Sequence, residues 1–253
     1  FTFLIILSLC VFVVVALFRK NNLSQNYITP SASPKSKTSQ KHEVAFESEK
    51  FDVVYMVVDD PKLISLYPNF EEKIDSASFR NKHECISLIS GGFYSKEDSP
   101  TGLFVYSGKR LANVYKNVFL NGIFWSDSSG NVGIDDLSVT SKFRFALQTG
   151  PILMRGGVSE VLKIISDEPA RRIVVAITRD RKVYFMSFYS TDSVYLGPNL
   201  SELPNILAKF SEKIGVEFAD AINLDGGSAS SFLAEGISLP EITHSGSFFC
   251  IAK

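Results

Sequence analysis

Short apolar runs that end in a glycine or polar turn recur through residues 51–253, and they constrain the fold most strongly. The runs are rich in Val, Ile, Phe and Tyr and are too short for most helices, so they predict β-strands. Polar turns split several runs into hairpins. The expected strands and hairpins lie at 51–58, 85–94, 102–111, 121–134 and 171–188.

One segment has helical spacing instead of strand spacing. Five apolar residues share one face there, and Gly215 follows at the C-terminal cap position. Shorter helices are expected at 158–166 and 69–82. Many strands with a few helices predict one α+β domain with a mixed sheet over 51–253. The residues that share the helical face are Leu203, Ile206, Leu207, Phe210 and Ile214.

The first 18 residues differ from the rest of the chain because they carry no charge and only two polar side chains. As a helix they would extend about 27 Å, close to the thickness of a hydrocarbon core. Arg19 and Lys20 follow at once, without a small-residue cleavage site. We therefore expect residues 1–18 to be a transmembrane helix in a lipid bilayer, with a cleaved signal peptide as the alternative.

Residues 19–50 are polar and rich in Ser, Asn, Gln, Lys and Pro. They lack the apolar periodicity that would bury a face, which is typical of a disordered, flexible linker. The sequence thus predicts three parts: an anchor at 1–18, a linker at 19–50 and a folded domain at 51–253.

Charge and cysteine content exclude some classes of protein. The net charge is −1, so the chain has no global basic surface for nucleic acid, and no nucleic-acid partner is expected. Three cysteines are too few for a disulfide scaffold. For Cys85 and Cys250 we favour two buried free thiols, with one disulfide as the alternative if the domain lies outside the cytoplasm.

The densest cluster of candidate site residues is the segment 221–236. An apolar run delivers Asp225 to the end of a strand, and Gly226 and Gly227 follow without side chains, so that a ligand can approach the backbone. Ser228 then offers a hydroxyl group. The same residues also suit a tight turn with a capping aspartate, and local chemistry leaves the two interpretations open.

Three further breaks between apolar runs carry candidate residues. Ser90, Gly91 and Gly92 end one strand, and Gln148 precedes a Gly-Pro pair. Arg171 and Arg172 begin another strand. Because an arginine that enters an apolar run needs an anionic partner, we expect either a structural carboxylate or a substrate phosphate beside them.

Taken in this order, the segments resemble the phosphodiester glycosidase family. SGGFY at 90–94 is similar to its Asn-Gly-Gly-Phe-Phe motif, and the segment at 148–157 is similar to its Gln-x-Gly-Pro-x-Leu motif. RRIVVAI at 171–177 resembles its arginine strand. NLDGGSASS at 223–231 resembles its Asn-Leu-Asp-Gly-Gly-Gly-Ser-Ser motif. The resemblance covers nearly all of 51–253.

The resemblance implies hydrolysis of a glycosyl–phosphate bond. Asp225 would be the reacting carboxylate, as base or nucleophile, and Arg172 would bind the phosphate. The second carboxylate would be Glu97, with Asp98 as the alternative. Backbone amides of the glycine pairs would bind oxyanions or sugar hydroxyls. The expected substrate-binding residues are Ser90, Gly91, Gly92, Gln148, Arg171, Gly226, Gly227 and Ser228.

The motifs also depart from the family pattern, since Ser90 replaces an asparagine and Ser228 replaces a glycine. These changes keep a second interpretation open, a polysaccharide-binding module that has lost turnover. No cofactor is assigned, and an oxygen-ligated Mg²⁺ or Ca²⁺ near Asp225 stays open. The resemblance further places the domain outside the cytoplasm, at the cell envelope, with a carbohydrate or glycopolymer as its substrate.

Overall fold

Strands dominate the computed structural model, which describes residues 39–253. Two α-helices accompany them in this part of the chain, α1 (Ser76–Lys82) and α2 (Leu203–Ile214), together with single 3₁₀ turns at Pro61–Leu63 and Gly227–Ala229. The strands are β1 (Gln40–Phe46), β2 (Glu49–Val58), β3 (Ile64–Pro68), β4 (Ser87–Ser90), β5 (Phe104–Tyr106), β6 (Lys109–Ala112), β7 (Gly122–Asp127), β8 (Val132–Asp136), β9 (Phe143–Thr149), β10 (Ile152–Arg155), β11 (Val158–Ser159), β12 (Arg172–Thr178), β13 (Val183–Ser190), β14 (Phe218–Asn223), β15 (Phe232–Ala234), β16 (Ile237–Leu239) and β17 (Ser247–Ile251).

The strands form three sheets. The largest has seven strands in the order β1-β2-β13-β12-β14-β10-β11, and the other two have five strands each, β16-β15-β4-β17-β3 and β6-β5-β9-β7-β8. Every named strand pair within residues 39–253 runs antiparallel. The expected single domain of strands with a few helices is confirmed, but three antiparallel sheets replace the one mixed sheet.

Strand β12 shows how the seven-stranded sheet is buried on both faces. Ile173, Val175 and Ile177 point into a core shared with the two smaller sheets. Val174 and Ala176 point the other way, into a core that contains the apolar face of α2. Because side chains alternate along a strand, one continuous apolar run supplies both layers.

Helix α2 forms as its spacing predicts. Leu203, Ile206, Leu207 and Phe210 are fully buried against the sheet. Pro204 lies in the first turn, where a missing N–H costs nothing. Gly215 ends the helix in the left-handed region at φ 65°.

The other two helix predictions need correction. Residues 158–166 contain no helix: Val158 and Ser159 pair with β10, and the β-branched residues that follow favour helices weakly. Of the range 69–82, only 76–82 is helical. The side chain of Asn69 bonds the backbone of Ile74 and Ser245 instead, and Asp75 caps α1 by accepting from the N–H of Ser78 at 2.8 Å.

The linker boundary is also wrong, because strands begin at residue 40. Strand β1 pairs with β2 along its whole length, and Val44 is buried. Its charged residues, among them Lys41 and Glu43, are typical of an edge strand and resemble a solvated tether in the sequence. No helix within residues 39–253 is long and apolar enough to cross a membrane. The predicted anchor at 1–18 lies outside the described residues.

Cys85 and Cys250 form a disulfide, so the favoured prediction of two free thiols is wrong. Their Cα atoms lie 5.4 Å apart. Cys250 lies on β17, beside the start of β4, and Cys85 directly follows α1. The bond therefore ties the helix to the sheet that contains β4.

Candidate functional site

The two glycine turns that the sequence singles out meet in the structure. Strand β4 ends at Ser90 and β14 ends at Asn223, and the strands belong to different sheets. The backbone N–H of Asp225 donates to the carbonyl of Gly91 at 2.9 Å, and the Ser90 hydroxyl donates to the carbonyl of Asp225 at 3.3 Å. The site is thus built where the ends of two sheets come together.

Asp225 is the ionisable group at this junction, and it is only 8% exposed. Burial raises the pKa of its carboxyl from 3.8 to about 7, while the backbone N–H of Gly226 acts in the opposite direction by donating to it. The carboxyl therefore exchanges its proton near neutral pH. A carboxyl with this property at a strand end is a candidate for acid, base or nucleophilic chemistry.

The segment 148–151 is hydrogen-bonded to Asn223, two residues before Asp225. The Thr149 hydroxyl donates to the carbonyl of Asn223 at 2.8 Å. The Asn223 side chain donates to the carbonyl of Gly150 at 3.0 Å, and its backbone N–H donates to that of Pro151 at 3.0 Å. Thr149 and Asn223 position the strand end, a role that their residue types alone do not reveal.

The side chain of Gln148 is bonded to backbone groups of the protein, so its predicted role in substrate binding stays a prediction. Its side-chain oxygen accepts from the N–H groups of Leu103 and Tyr115, each at 3.0 Å. Its amide nitrogen donates to the carbonyls of Tyr115 and Leu120. These four bonds use its hydrogen-bonding capacity, so Gln148 organises the loop before β7.

The glycine amides are mostly occupied within the protein, which corrects their expected role as oxyanion donors. The N–H groups of Gly91 and Gly92 donate to the carbonyl and the hydroxyl of Ser247. The N–H of Gly227 donates to the carbonyl of Arg171 at 2.8 Å. The Gly226 N–H faces the Asp225 carboxyl itself.

The need for glycine here is largely steric. A Cβ on Gly91 would lie 2.5 Å from the Ser247 hydroxyl, and one on Gly226 would lie 2.8 Å from the carbonyl of Arg171. Gly227 instead needs its left-handed conformation, at φ 62°, and has open space beside it. Close packing of two turns thus explains Gly91 and Gly226, whereas Gly227 borders open space next to Asp225.

Arg171 is fully buried and holds the Asp225 turn together, so its expected contact with substrate is not what the structure shows. Its guanidinium donates to the Ser230 hydroxyl at 2.8 Å, to the carbonyl of Pro240 at 2.7 Å, to that of Val194 at 3.2 Å, and to the carbonyl of Ser230. Burial lowers its pKa to about 10, and none of its hydrogen-bond acceptors within residues 39–253 is a carboxylate.

Arg172 lies next to Gly226 but is also engaged by the protein. It donates from Nε to the carbonyl of Pro198 at 3.0 Å and from Nη2 to the carbonyl of Glu168 and the carboxylate of Asp167. Burial lowers its pKa and the charge of Asp167 opposes that change. The expected anionic partner is therefore a structural carboxylate, and a phosphate contact by Arg172 stays a prediction.

The two predicted serines differ in position. Ser90 is buried, and its hydroxyl bridges the Asp225 carbonyl and the N–H of Ser231, so it supports the turn. Ser228 is exposed, with its hydroxyl 3.2 Å from that of Thr243. Ser228 thus lies with Gly226 and Gly227 on the accessible side of the Asp225 turn.

A further group of ionisable residues borders the site. The carboxylate of Asp98 lies 3.0 Å from Nε2 of His244 and forms an ion pair with Lys73. The Tyr94 hydroxyl donates to the carbonyl of His244 at 2.7 Å. Glu97, the carboxylate chosen from the sequence, is exposed; its backbone N–H donates to the Ser95 hydroxyl at 3.2 Å, but its carboxylate has no hydrogen-bond or ion-pair partner within residues 39–253.

The sequence does not single out His244, and it offers Asp98 only as an alternative to Glu97. The signal that could have found the pair is the short ITHSG segment, which directly precedes a buried strand that neighbours β4. The described residues contain no group of three His, Cys, Asp or Glu side chains arranged to hold a metal ion.

Similar proteins share this architecture. The catalytic domain of zebrafish N-acetylglucosamine-1-phosphodiester alpha-N-acetylglucosaminidase, auto-inhibited by its pro-peptide, aligns with a TM-score of 0.69 at 17% identity, over 88% of this chain and 85% of that one. A hypothetical protein from Synechocystis aligns with a TM-score of 0.56 at 16% identity, over 87% of this chain and 64% of that one. At these identities the likeness concerns the fold.

Sequence comparison also finds similar proteins. The uncharacterized protein YigE of Escherichia coli K12 is 33% identical over 91 residues, which are 32% of this chain and 36% of YigE, so the match spans about a third of that relative's length. The sequence profile of the phosphodiester glycosidase family matches residues 83–247, well over half of the chain and including every motif of the site. The chain belongs to the phosphodiester glycosidase family.

Proposed function

We propose that this protein hydrolyses the bond between the anomeric carbon of a sugar and the oxygen of a phosphodiester. Family membership supports this reaction type. The observation that carries the proposal is the buried Asp225 carboxyl, whose pKa of about 7 lets it react near neutral pH. It lies at the junction of the two glycine turns, beside the open face formed by Gly227 and Ser228.

Hydrolysis of a sugar–phosphate bond can rely on a single reactive carboxyl more readily than hydrolysis of an ordinary glycoside can. Charge builds up at the anomeric carbon as the glycosidic bond breaks, and a nearby carboxylate stabilises that charge. The leaving group is a phosphate monoester, which is already a weak base. It therefore needs less protonation by a strong general acid than an alcohol leaving group needs.

Positive charge for the phosphate is the second requirement of this reaction. Arg172 is our candidate, because its Cδ atom lies 3.7 Å from the position that a Cβ on Gly226 would occupy. Its guanidinium group already donates hydrogen bonds to Asp167 and to two backbone carbonyls. A bound phosphate would therefore meet an arginine that the protein has already oriented. Such an arginine costs little conformational entropy on binding.

The proposal includes a place of action. The Cys85–Cys250 disulfide supports a domain outside the cytoplasm, where disulfides persist. We propose residues 1–18 as the attachment to a lipid bilayer and envelope glycopolymers with sugar–phosphate bonds as the substrate. Membrane fractionation of cells that express the full chain, compared with a chain starting at residue 39, tests the attachment.

The reaction itself is tested with the full chain and a panel of sugar 1-(methyl phosphate) diesters, in both anomers, beside p-nitrophenyl glycosides of the same sugars. The proposal expects turnover of diesters and little or no turnover of the plain glycosides. An EDTA arm reports whether an oxygen-ligated divalent cation takes part. Turnover of the glycosides alone would contradict the proposal.

A polysaccharide-binding module without turnover is the second candidate. It is favoured by one observation: the guanidinium groups of both Arg171 and Arg172 are bonded to protein acceptors. Retention of a wall glycopolymer in pull-downs, together with no hydrolysis of any diester in the panel, would support this candidate over the enzyme.

A further inference from the structure

The segment 240–246 is fixed against both turns of the site. The backbone N–H groups of Ile242 and Thr243 donate to the carbonyl of Ser228 at 2.7 and 3.0 Å. The Ser245 hydroxyl donates to the carbonyl of Ala229 at 2.6 Å. On the other side, Tyr94 of the 90–94 turn donates to the carbonyl of His244 at 2.7 Å. His244 is therefore anchored to the motif that carries Asp225 and to the motif that carries Ser90.

The imidazole of His244 is oriented as well as anchored. Its Nε2 atom lies 3.0 Å from Asp98, and its ring centroid lies 5.2 Å from that of Tyr94. The side chain stays 34% exposed, so the rest of the ring can meet a ligand. An anchored backbone, a carboxylate on one nitrogen and an accessible ring are the features of a histidine that transfers protons.

The state of Asp98 determines which nitrogen of His244 carries the proton. Hydrogen bonds from Lys73 and then from His244 lower the pKa of Asp98, so its carboxylate is ionised at neutral pH. An ionised carboxylate only accepts hydrogen bonds. Nε2 must therefore donate to it, which leaves the lone pair of the neutral imidazole on Nδ1.

We propose that His244 is a second catalytic residue of this site, which accepts a proton at Nδ1, and that Asp98 is its positioning residue. This inference rests on the proposed function and names the base that the reaction uses. Asp225 then keeps the role of the carboxylate that faces the anomeric carbon. Glu97 has no part in the pair.

The proposed step balances as follows. Nδ1 of His244 takes one proton from a water molecule while the oxygen of that water forms a bond to the anomeric carbon. The bond from that carbon to the phosphate oxygen breaks, and its electron pair leaves with the phosphate monoester. The proton on the imidazolium then passes to solvent, which restores the neutral ring. No oxidant, reductant or other co-reactant is needed.

The charged and titratable groups that face the pair come from three segments. Lys73 contacts Asp98 directly, and Tyr94 lies against the imidazole. Burial raises the pKa of Tyr94, and the negative charges of Asp225 and then Asp98 add to that rise. Tyr94 therefore stays neutral over the working range, and it connects the His244 pair electrostatically to Asp225.

The other histidine of the same region provides a matched control. The ring of His83 stacks on that of Phe79 with 4.2 Å between centroids and lies tilted against that of Tyr67 at 4.6 Å, and burial lowers the pKa of His83. It is the C-cap residue of α1 and lies two residues before Cys85 of the disulfide, and its ring contacts neither Asp98 nor His244 in the aromatic and hydrogen-bond contacts of residues 39–253. A His83→Gln variant thus removes an imidazole from the same fold without touching the proposed pair.

The kinetic experiment compares His244→Gln, Asp98→Asn and His83→Gln on the sugar 1-phosphodiester that the wild type turns over best. We expect kcat to fall about 10²–10⁴-fold for His244→Gln, with KM little changed, and its pH–rate profile to lose the limb due to the base. The kcat of Asp98→Asn should fall less than that of His244→Gln, and the kcat of His83→Gln should stay within about twofold of the wild-type value. A His244→Gln variant within about threefold of wild type would overturn the inference.

A second measurement does not depend on turnover. Long-range ¹H–¹⁵N spectra of the histidine side chains show which nitrogen of the neutral ring is protonated, with His244→Gln used to assign the signal. We expect a proton on Nε2 in the wild type and loss of that preference in Asp98→Asn. A wild-type ring protonated on Nδ1 would overturn the inference. If no diester is hydrolysed, the proposed function fails. The inference is then judged separately, by adding the methyl phosphate diester and recording the His244 signal. An unchanged signal would overturn the inference.

Discussion

The backbone N–H of Asp225 donates a 2.9 Å hydrogen bond to the carbonyl of Gly91. The two residues lie far apart in the chain and at the ends of strands from two different sheets. A side chain at Gly91 would collide with Ser247, and one at Gly226 would collide with the carbonyl of Arg171. The glycine pairs therefore let two turns pack backbone to backbone, and this packing sets the position of the Asp225 carboxyl.

Asp225→Asn should remove turnover while the fold is kept. The substitution preserves the shape of the side chain and removes the carboxylate that the reaction requires. We expect a loss of at least about 10³-fold in kcat, measured on the best diester of the panel. Asp220→Asn is the control, because Asp220 lies on the strand that leads to Asp225 and its carboxylate accepts from the N–H of Gly156 at 3.1 Å. Near-normal rates from a folded Asp225→Asn protein would contradict the assigned role.

The same variant should change how stability depends on pH. Asp225 keeps its proton up to about pH 7 when folded, whereas an unfolded aspartate loses it near pH 3.8. The native state thus binds the extra proton between these values, so the contribution of Asp225 to stability falls as the pH rises from about 3.8 to about 7 and is level above that range. The cost at pH 8 is at most roughly 4 kcal/mol.

Thermal unfolding of wild type and Asp225→Asn at pH 5 and pH 8 checks this linkage. The gain in stability of the variant over wild type should be larger at pH 8 than at pH 5 by roughly 2–3 kcal/mol, because only part of the cost is already present at pH 5. An equal difference between the two proteins at both pH values would show that the Asp225 carboxyl is not held at a raised pKa.

Arg171 should be required for stability more than for binding. Arg171→Met leaves the carbonyls of Ser230, Pro240 and Val194 without their buried donor. We expect a loss of about 3–5 kcal/mol in urea unfolding. Arg171→Lys should recover little, because an ammonium group cannot reproduce the fork.

Arg179→Met on an exposed turn is the matched control for Arg171 and should lower the free energy of unfolding by less than about 0.5 kcal/mol.

Arg172→Lys should instead act on binding and raise KM for a diester, because it replaces the guanidinium group next to Gly226 with an ammonium group. A stable Arg171→Met protein with a strongly raised KM would restore the direct substrate contact that the sequence suggested for Arg171.

Reduction of the Cys85–Cys250 bond should lower stability without removing activity. The bond spans 165 residues, and a closed loop of that size is worth about 5 kcal/mol in the chain-entropy account. The Cys85→Ser/Cys250→Ser variant should therefore unfold at a lower temperature than the oxidised protein. A reductant should lower the unfolding temperature of wild type but not that of the variant, and an equal response of both would argue against the disulfide.

Much of the fold could be predicted because strand and helix patterns are local. The runs at 51–58 and 171–188 form strands, and α2 spans its predicted residues with Gly215 as cap. The edge strand β1 was missed because charged residues on an edge look like a solvated linker. The false helix at 158–166 arose from apolar spacing in a segment that has two residues paired with β10.

The site could be predicted in its location but less well in its roles. The sequence identified Asp225 and the glycine pairs, since their residue types are informative. It could not distinguish a buried arginine that bonds carbonyls from one that binds phosphate, nor a glutamine that organises a loop from one that binds sugar. It also chose Glu97 over Asp98, because only the tertiary structure shows which of two neighbouring carboxylates meets His244.

The position of bond cleavage tests the central claim most directly. Hydrolysis of a sugar 1-phosphodiester in ¹⁸O-labelled water, followed by mass spectrometry of both products, reports which bond breaks. Attack at the anomeric carbon, as proposed for the site around Asp225, puts the label on the sugar and leaves the phosphate monoester unlabelled. Label on the phosphate would mean that the P–O bond breaks, and it would contradict the assignment of this protein as a glycosidase.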